Sequence, residues 1–289
     1  MSAGRPRRRG PRARVAGLLL LLVLTLAPAA DAEPGAGAPG AEGAAASGPV
    51  ADPAPSAEEP AAPGPVADPP SSAEAIGPPT RRHGATIARV VAASRARRRL
   101  DEPSPHDPLV ATTTSWSRQP QALLVLARAT REGREWLRVA LPFRPVGSGG
   151  WIPRDRASLT RTRWWIDVWL RDRTVTVRHR GRVRRRFRAV IGAPGTPTPP
   201  GLFALWERNR QASPGGFVGS WVLSLTALSP VLEDFGGGPG RIGLHGRGGA
   251  SLLDPLGSAR SHGCIRLSNA AIRWLALRVP VGTPVRILR

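Results

Sequence analysis

The chain contains no lysine and no tyrosine, and only one methionine and one cysteine among its 289 residues. A single cysteine excludes an internal disulfide, so that thiol is either inert filler or chemistry. The absence of lysine leaves all 42 basic residues as arginine, alongside 33 glycines and 32 prolines. Such usage suits a very GC-rich coding sequence, so the net charge of +22 is in part codon bias rather than selection for a polyanion. The charge is also uneven. Residues 1–32 hold six Arg and one acid, residues 33–80 hold seven acids and no base, and residues 81–289 hold 36 Arg against 12 acids. The last segment is basic enough to be drawn to any anionic polymer.

Long apolar runs are scarce too. The one at the N-terminus, VAGLLLLLVLTLA, follows MSAGRPRRRGPRAR and precedes PAADA. A basic stretch, a short apolar core and a small-residue site form the three parts of a secretory signal, expected over residues 1–32. The run is short for a spanning helix, which needs about 20 residues; left uncleaved, it would anchor the protein to a membrane. No cysteine follows it, which excludes a lipoprotein anchor. Export to the cell envelope is therefore expected, in a compartment where cysteines normally pair. One unpaired cysteine there points towards reactivity. The signal and the lack of any nucleic-acid motif argue against a nucleic-acid partner.

Residues 33–106 are expected to be a disordered Ala/Pro/Gly-rich tether followed by a basic connector. The stretch 33–80 has almost no large apolar residue to offset its ordering entropy. Ile87, Val90 and Val91 have helical spacing before the basic run 95–99, which reads first as a solvated connector and second as a membrane-surface helix. Order is expected from about residue 107. ALLVLARATREGREWLRVALP holds two strand-like runs around a turn, and PVGSGG precedes WIP, which suggests a small barrel. The stretch 123–155 resembles the bacterial SH3-like modules that often precede cell-wall enzymes, giving a module over 107–162. Within WWIDVWLRDRTVTVRHRGRVRRRFRAVIG, Ile166, Val168 and Leu170 alternate with polar residues, as do Val175 and Val177, predicting hairpin strands. The polar, Gly-rich stretch 207–220 is expected to be a mobile flap beside a site. Ser268 or Asn269 can cap a helix whose Ile272, Leu275, Ala276 and Val279 share one face, and a final strand follows.

The cysteine lies in RSHGCIRLSN, residues 260–269, and 15 residues separate His245 of IGLHG from Ser261. A free thiol with a pKa of about 8.5 is only about 3% thiolate at pH 7, and the thiolate is the nucleophile. A neighbouring imidazolium can lower that pKa, and two histidines are available. His245, His262 and Cys264 could also be read as a zinc site, although no fourth ligand is evident. His83, His106 and His179 read as bland, Trp164, Trp165 and Trp169 as packing residues, and Asp254 as a turn residue before Pro255.

The His–15 residues–Ser-His-Gly-Cys pattern, with GTPTPPG, EDFGGGPGRIGLHG and CIRLSN, resembles the L,D-transpeptidase catalytic domain, also called YkuD, over about 163–289. The resemblance implies a mainly β, sandwich- or barrel-like catalytic domain with a short C-terminal helix, preceded by the small SH3-like β module. It implies Cys264 as nucleophile, His245 as its partner, and the Gly246 carbonyl orienting the imidazole where other members often carry a hydroxyl. Backbone N–H groups of Gly263 and Cys264 would form the oxyanion hole, and His262 would hold the loop. Ser261 and Arg266 are expected on the substrate side, Arg266 as a fork for a carboxylate. The implied activity is acyl transfer between peptidoglycan stem peptides, donor and acceptor, giving 3→3 cross-links through a Cys264 thioester. Neither metal nor cofactor is implied, and carbapenem-type β-lactams are the expected inhibitors. With water as acceptor the same site would be a carboxypeptidase. The rival from another class is a non-catalytic wall-binding protein, against which the intact motif argues.

Overall fold

Strands whose alternate side chains are fully buried build the larger sheet. Ile166 and Val168 lie on β8 (Trp164–Trp169), and Val175 and Val177 on β9 (Thr174–His179). All four are inaccessible to solvent and sit opposite one another in the antiparallel pair. The period-2 reading of this hairpin therefore matches the structure.

The computed structural model describes Met1, residues 77–235 and residues 238–289. The expected signal at 1–32 and most of the tether lie outside the described residues. Described elements fall within one compact unit, Glu58–Arg289, and they are mainly β.

Upstream of β8 lie β1 (Ala85–Val90), β2 (Ser94–Arg95), β3 (Leu109–Val110), β4 (Ala122–Arg131), β5 (Arg134–Ala140), β6 (Gly149–Pro153) and β7 (Ala157–Thr162). Five of them form one sheet in the order β6-β5-β4-β1-β7, and β2 pairs with β3. Downstream are β10 (Arg182–Arg188), β11 (Ile191–Gly192), β12 (Gly201–Arg210), β13 (Trp221–Leu228), β14 (Arg241–His245), β15 (Ala259–Ser261), β16 (Ile265–Arg266), helix α1 (Asn269–Arg278) and β17 (Pro284–Leu288). Of these, β10, β12, β13, β14, β16 and β17 join β8 and β9 in an eight-stranded sheet ordered β10-β9-β8-β17-β12-β13-β14-β16. The sheet curls until its ends meet: Val190, just after β10, bridges Arg266 on the far edge, and β11 pairs in parallel with β15. Helix α1 seals the core with Ala271, Ile272, Leu275 and Ala276, and Val279 follows it into the same cluster.

The main departure from expectation is β1. Residues 85–90 stand inside the segment 33–106 assigned to tether and connector, yet β1 pairs with both β4 and β7. Neither helical nor alternating, its burial is nearly continuous, with only Arg89 exposed. The cause is two covered faces. Ala88 and Val90 belong to the small sheet's own core, whereas Ala85 clusters with Ala204 of β12. A strand covered on both sides loses the period-2 signal. The ordered module thus begins before 85, not at 107. Arg81 extends the attachment, donating from Nε to the fully buried Asp167 carboxylate at 2.9 Å, which also accepts from Arg178 and Trp165.

The two sheets share cores. Trp206 of β12 is part of the small sheet's cluster and donates its indole N–H to Gln121 Oε1 at 2.9 Å. Burying one such side chain is worth roughly 1.5–3 kcal/mol. A protein trimmed to 77–289 should therefore match the full chain in thermal stability. One trimmed to 107–289 loses β1, Arg81 and the partner strand of both β4 and β7, and should melt at least 10 °C lower or fail to fold. Equal melting temperatures for the two, by circular dichroism, would contradict the pairing.

Candidate active site

Two short parallel strands bring the motif residues together. β14 and β16 pair with Leu244 opposite Ile265 and His245 opposite Arg266. Leu244 and Ile265 are fully buried in the core, so by strand alternation the other side carries Gly243, His245, Cys264 and Arg266. The Cys264 sulfur lies 3.8 Å from the Arg241 carbonyl and is hydrogen-bonded by the Gly243 backbone. It thus rests on β14 two residues from the end that bears His245.

The cysteine loop is locked by hydroxyls. Ser261 Oγ donates to the Cys264 carbonyl (2.6 Å) and accepts the Gly263 N–H (3.1 Å). From the GTPTPPG loop, Thr198 Oγ1 donates to the Gly263 carbonyl (2.7 Å) and Thr196 Oγ1 to the Ser261 carbonyl (3.1 Å). Gly263 has φ +112°, which side chains rarely tolerate, and a Cβ there would lie 2.7 Å from Ile242. Two expectations change. Ser261 is buried with its hydroxyl engaged inside the loop, so it does not face substrate. The Gly263 N–H, expected in the oxyanion hole, is already bonded to that hydroxyl. His262 is exposed and tilts against Phe235, ring centroids 5.2 Å apart.

His245 is buried, and its Nδ1 lies 2.7 Å from the Gly246 carbonyl. A carbonyl can only accept, so Nδ1 carries the proton and Nε2 presents its lone pair. The His245 pKa is lowered to about 4, chiefly by burial and in smaller part by the Arg266 charge, while the Gly246 and Val218 carbonyls oppose the shift. Burial also raises the Cys264 thiol above its ordinary value, against the opposing effects of the Gly243 backbone and Arg266. Desolvation disfavours both charged forms. Both shifts favour a neutral thiol and a neutral imidazole over the expected imidazolium-held thiolate.

Arg266, expected as a carboxylate fork for substrate, is 3% exposed and already engaged. Nη1 pairs with Asp254 at 2.5 Å, and the guanidinium lies over the Phe217 ring, 4.9 Å from its centroid. Asp254, read from sequence as a turn residue, is thus the partner of the one cation that acts on both His245 and Cys264. Arg247 holds the turn carrying Asp254 through the carbonyls of Ser251, Leu252 and Asp254.

Asn269 was visible in the sequence only as a candidate cap. Ser268 takes that role, accepting the Ala271 N–H at 3.2 Å. The Asn269 amide is left to tie two loops: Oδ1 accepts from the Arg247 N–H (3.1 Å) and the Ser220 N–H (3.4 Å), and Nδ2 donates to the Arg247 carbonyl (2.8 Å). A Cβ on Gly246 would lie 2.1 Å from that Oδ1, and one on Gly219 2.2 Å. Glycine stands at 246 because the Asn269 amide fills the space a side chain would need.

Two outcomes follow. Acylation of Cys264 by a limiting electrophile should keep its rate down to about pH 5 and fall only as pH approaches 4, because a neutral base is lost at its folded pKa. A limb centred near 6.5 would contradict the buried imidazole. Gly246→Ala should slow acylation at least tenfold alone, yet cost less than threefold when added to Asn269→Ala. Equal costs in both backgrounds would show that the amide does not constrain this position.

Known proteins bear on this geometry. Residues 163–287 match the family model of YkuD, the L,D-transpeptidase catalytic domain. A Bacillus licheniformis protein provisionally named L,D-transpeptidase YkuD is 35% identical over 122 residues, covering 42% of this chain and 64% of that protein. The Bacillus subtilis protein of the same provisional name is 34% identical over 124 residues, covering 43% and 65%. The chain thus spans just under two thirds of the length of these curated relatives. A crystal structure of an Enterococcus faecium L,D-transpeptidase is 26% identical with a TM-score of 0.31, covering 43% of this chain and 49% of that one.

Proposed function

We propose that the protein, whose residues 163–287 match the L,D-transpeptidase catalytic domain model, is a member of that family and an exported cysteine acyltransferase of the cell envelope. It joins peptidoglycan stem peptides by 3→3 cross-links. The observation that carries this reading is the chain's only thiol, set against β14, the strand that ends in a buried histidine whose Nδ1 is held by the Gly246 carbonyl.

The chemistry runs through a neutral pair. His245 Nε2 accepts the thiol proton as the sulfur bonds to the carbonyl carbon preceding the donor's terminal D-amino acid. The Gly246 and Val218 carbonyls favour the imidazolium that this creates. The Cys264 N–H is the remaining backbone donor of the expected oxyanion pair. The tetrahedral adduct collapses, the C–N bond breaks, and the leaving amine takes the proton back from His245. An amine on a neighbouring stem then attacks the thioester and passes its proton through His245 to the departing sulfur. Water in that step would give hydrolysis instead. The basic folded part suits an anionic matrix.

Incubation with defined muropeptide tetrapeptides should give 3→3 dimers by mass spectrometry, with free D-amino acid released in equal amount. A carbapenem should leave one adduct per chain on the wild type, none on Cys264→Ala, and at least tenfold slower labelling of His245→Ala. An adduct on Cys264→Ala would remove the nucleophile, and equal rates in His245→Ala would remove the base.

A further inference from the structure

The small sheet carries a cavity of about 340 Å³ between β2, β5 and the turn at Arg154–Arg156. That volume sits at the lower end of the range for small-ligand sites. Four guanidinium groups line it, from Arg95, Arg97, Arg134 and Arg156, against one carboxylate, Asp107. Asp107 is 2% exposed, and its carboxylate accepts the backbone N–H groups of Arg98 (3.2 Å) and Ser104 (2.9 Å). Arg95 reaches only its main-chain carbonyl, at 2.7 Å. Arg134 is held by Asp155 from outside the cavity, at 3.0 Å. Arg97 and Arg134 both stack on Trp136, 4.4 and 5.4 Å from the ring centroid, which fixes their planes. Arg156 has no carboxylate partner among the described residues.

Guanidinium groups gathered on one wall, two of them stacked on Trp136, suit bidentate capture of one small oxyanion.

We propose that this cavity is a second, non-catalytic binding site that takes a carboxylate of a peptidoglycan stem and holds the wall polymer on the small sheet. The identity of the polymer rests on the function proposed above; the oxyanion chemistry does not. A stem carboxylate fits the cavity's small size, and it recurs along the polymer, so many weak contacts can add up.

The test uses full-length protein and purified sacculi in co-sedimentation, with Arg95→Gln/Arg156→Gln compared against Arg182→Gln/Arg184→Gln. The second pair removes the same charge from exposed positions on β10 and controls for general attraction. The cavity variant should bind at least tenfold more weakly than wild type and the control less than twofold. Amidating stem carboxylates should erase wild-type binding, and stripping phosphate-linked polymers should leave it intact. Carbapenem acylation of Cys264 should be equal in all three proteins. Equal losses in both variants, or loss on stripping phosphate, would overturn the site. Absence of acylation in the wild type would instead sink the proposed catalytic function and leave the binding comparison readable.

Discussion

The hydrogen bond from His245 Nδ1 to the Gly246 carbonyl decides which nitrogen of a buried ring is free to accept a proton. Much of the surrounding structure serves that bond. Gly246 must stay in place, and Asn269 holds the adjoining Arg247 backbone through both its N–H and its carbonyl. The same amide oxygen takes the Ser220 N–H from the loop between β12 and β13. One side chain at the start of α1 therefore sets the histidine's carbonyl and the β12–β13 loop together; residues 207–210 of the expected flap are the end of β12. A main-chain carbonyl cannot rotate away as a hydroxyl can, so this arrangement exchanges adaptability for a fixed tautomer.

Charge around the pair is arranged by exclusion. Burial shifts imidazole and thiol towards their neutral forms, and Arg266 opposes protonation of the first while favouring ionisation of the second. Asp254 and the Phe217 ring hold that arginine in place. The small sheet adds a further constraint from behind. Arg241, whose carbonyl faces the thiol, lies over Trp206 and donates to the Pro142 carbonyl of the small-sheet segment. The cysteine loop and the small sheet are thus joined through β12 and β14 rather than strung on a linker.

Much of this was legible in the sequence, for physical reasons. The β8–β9 hairpin showed itself because one face is buried and the other is not. The cysteine loop showed itself because its chemistry needs fixed residue types at fixed spacing. β1 did not, since both of its faces are covered and no alternation survives. Ser261, Asp254 and Asn269 were misread or underread because their roles arise from contacts 3 to 49 residues away in the chain. The Ser268–Asn269 ambiguity shows the limit well: either residue can cap a helix, and only the fold decides which side chain is left over for the loops.

The central claim is that Cys264 rests as a protonated thiol and is deprotonated only as it attacks. Thiolate absorbance near 240 nm, taken as the difference between wild type and Cys264→Ala across pH 5 to 9, tests this directly. The account predicts that any thiolate step lies above the ordinary range of a free cysteine. A step centred below pH 7 that disappears in His245→Ala would contradict it and restore a preformed ion pair.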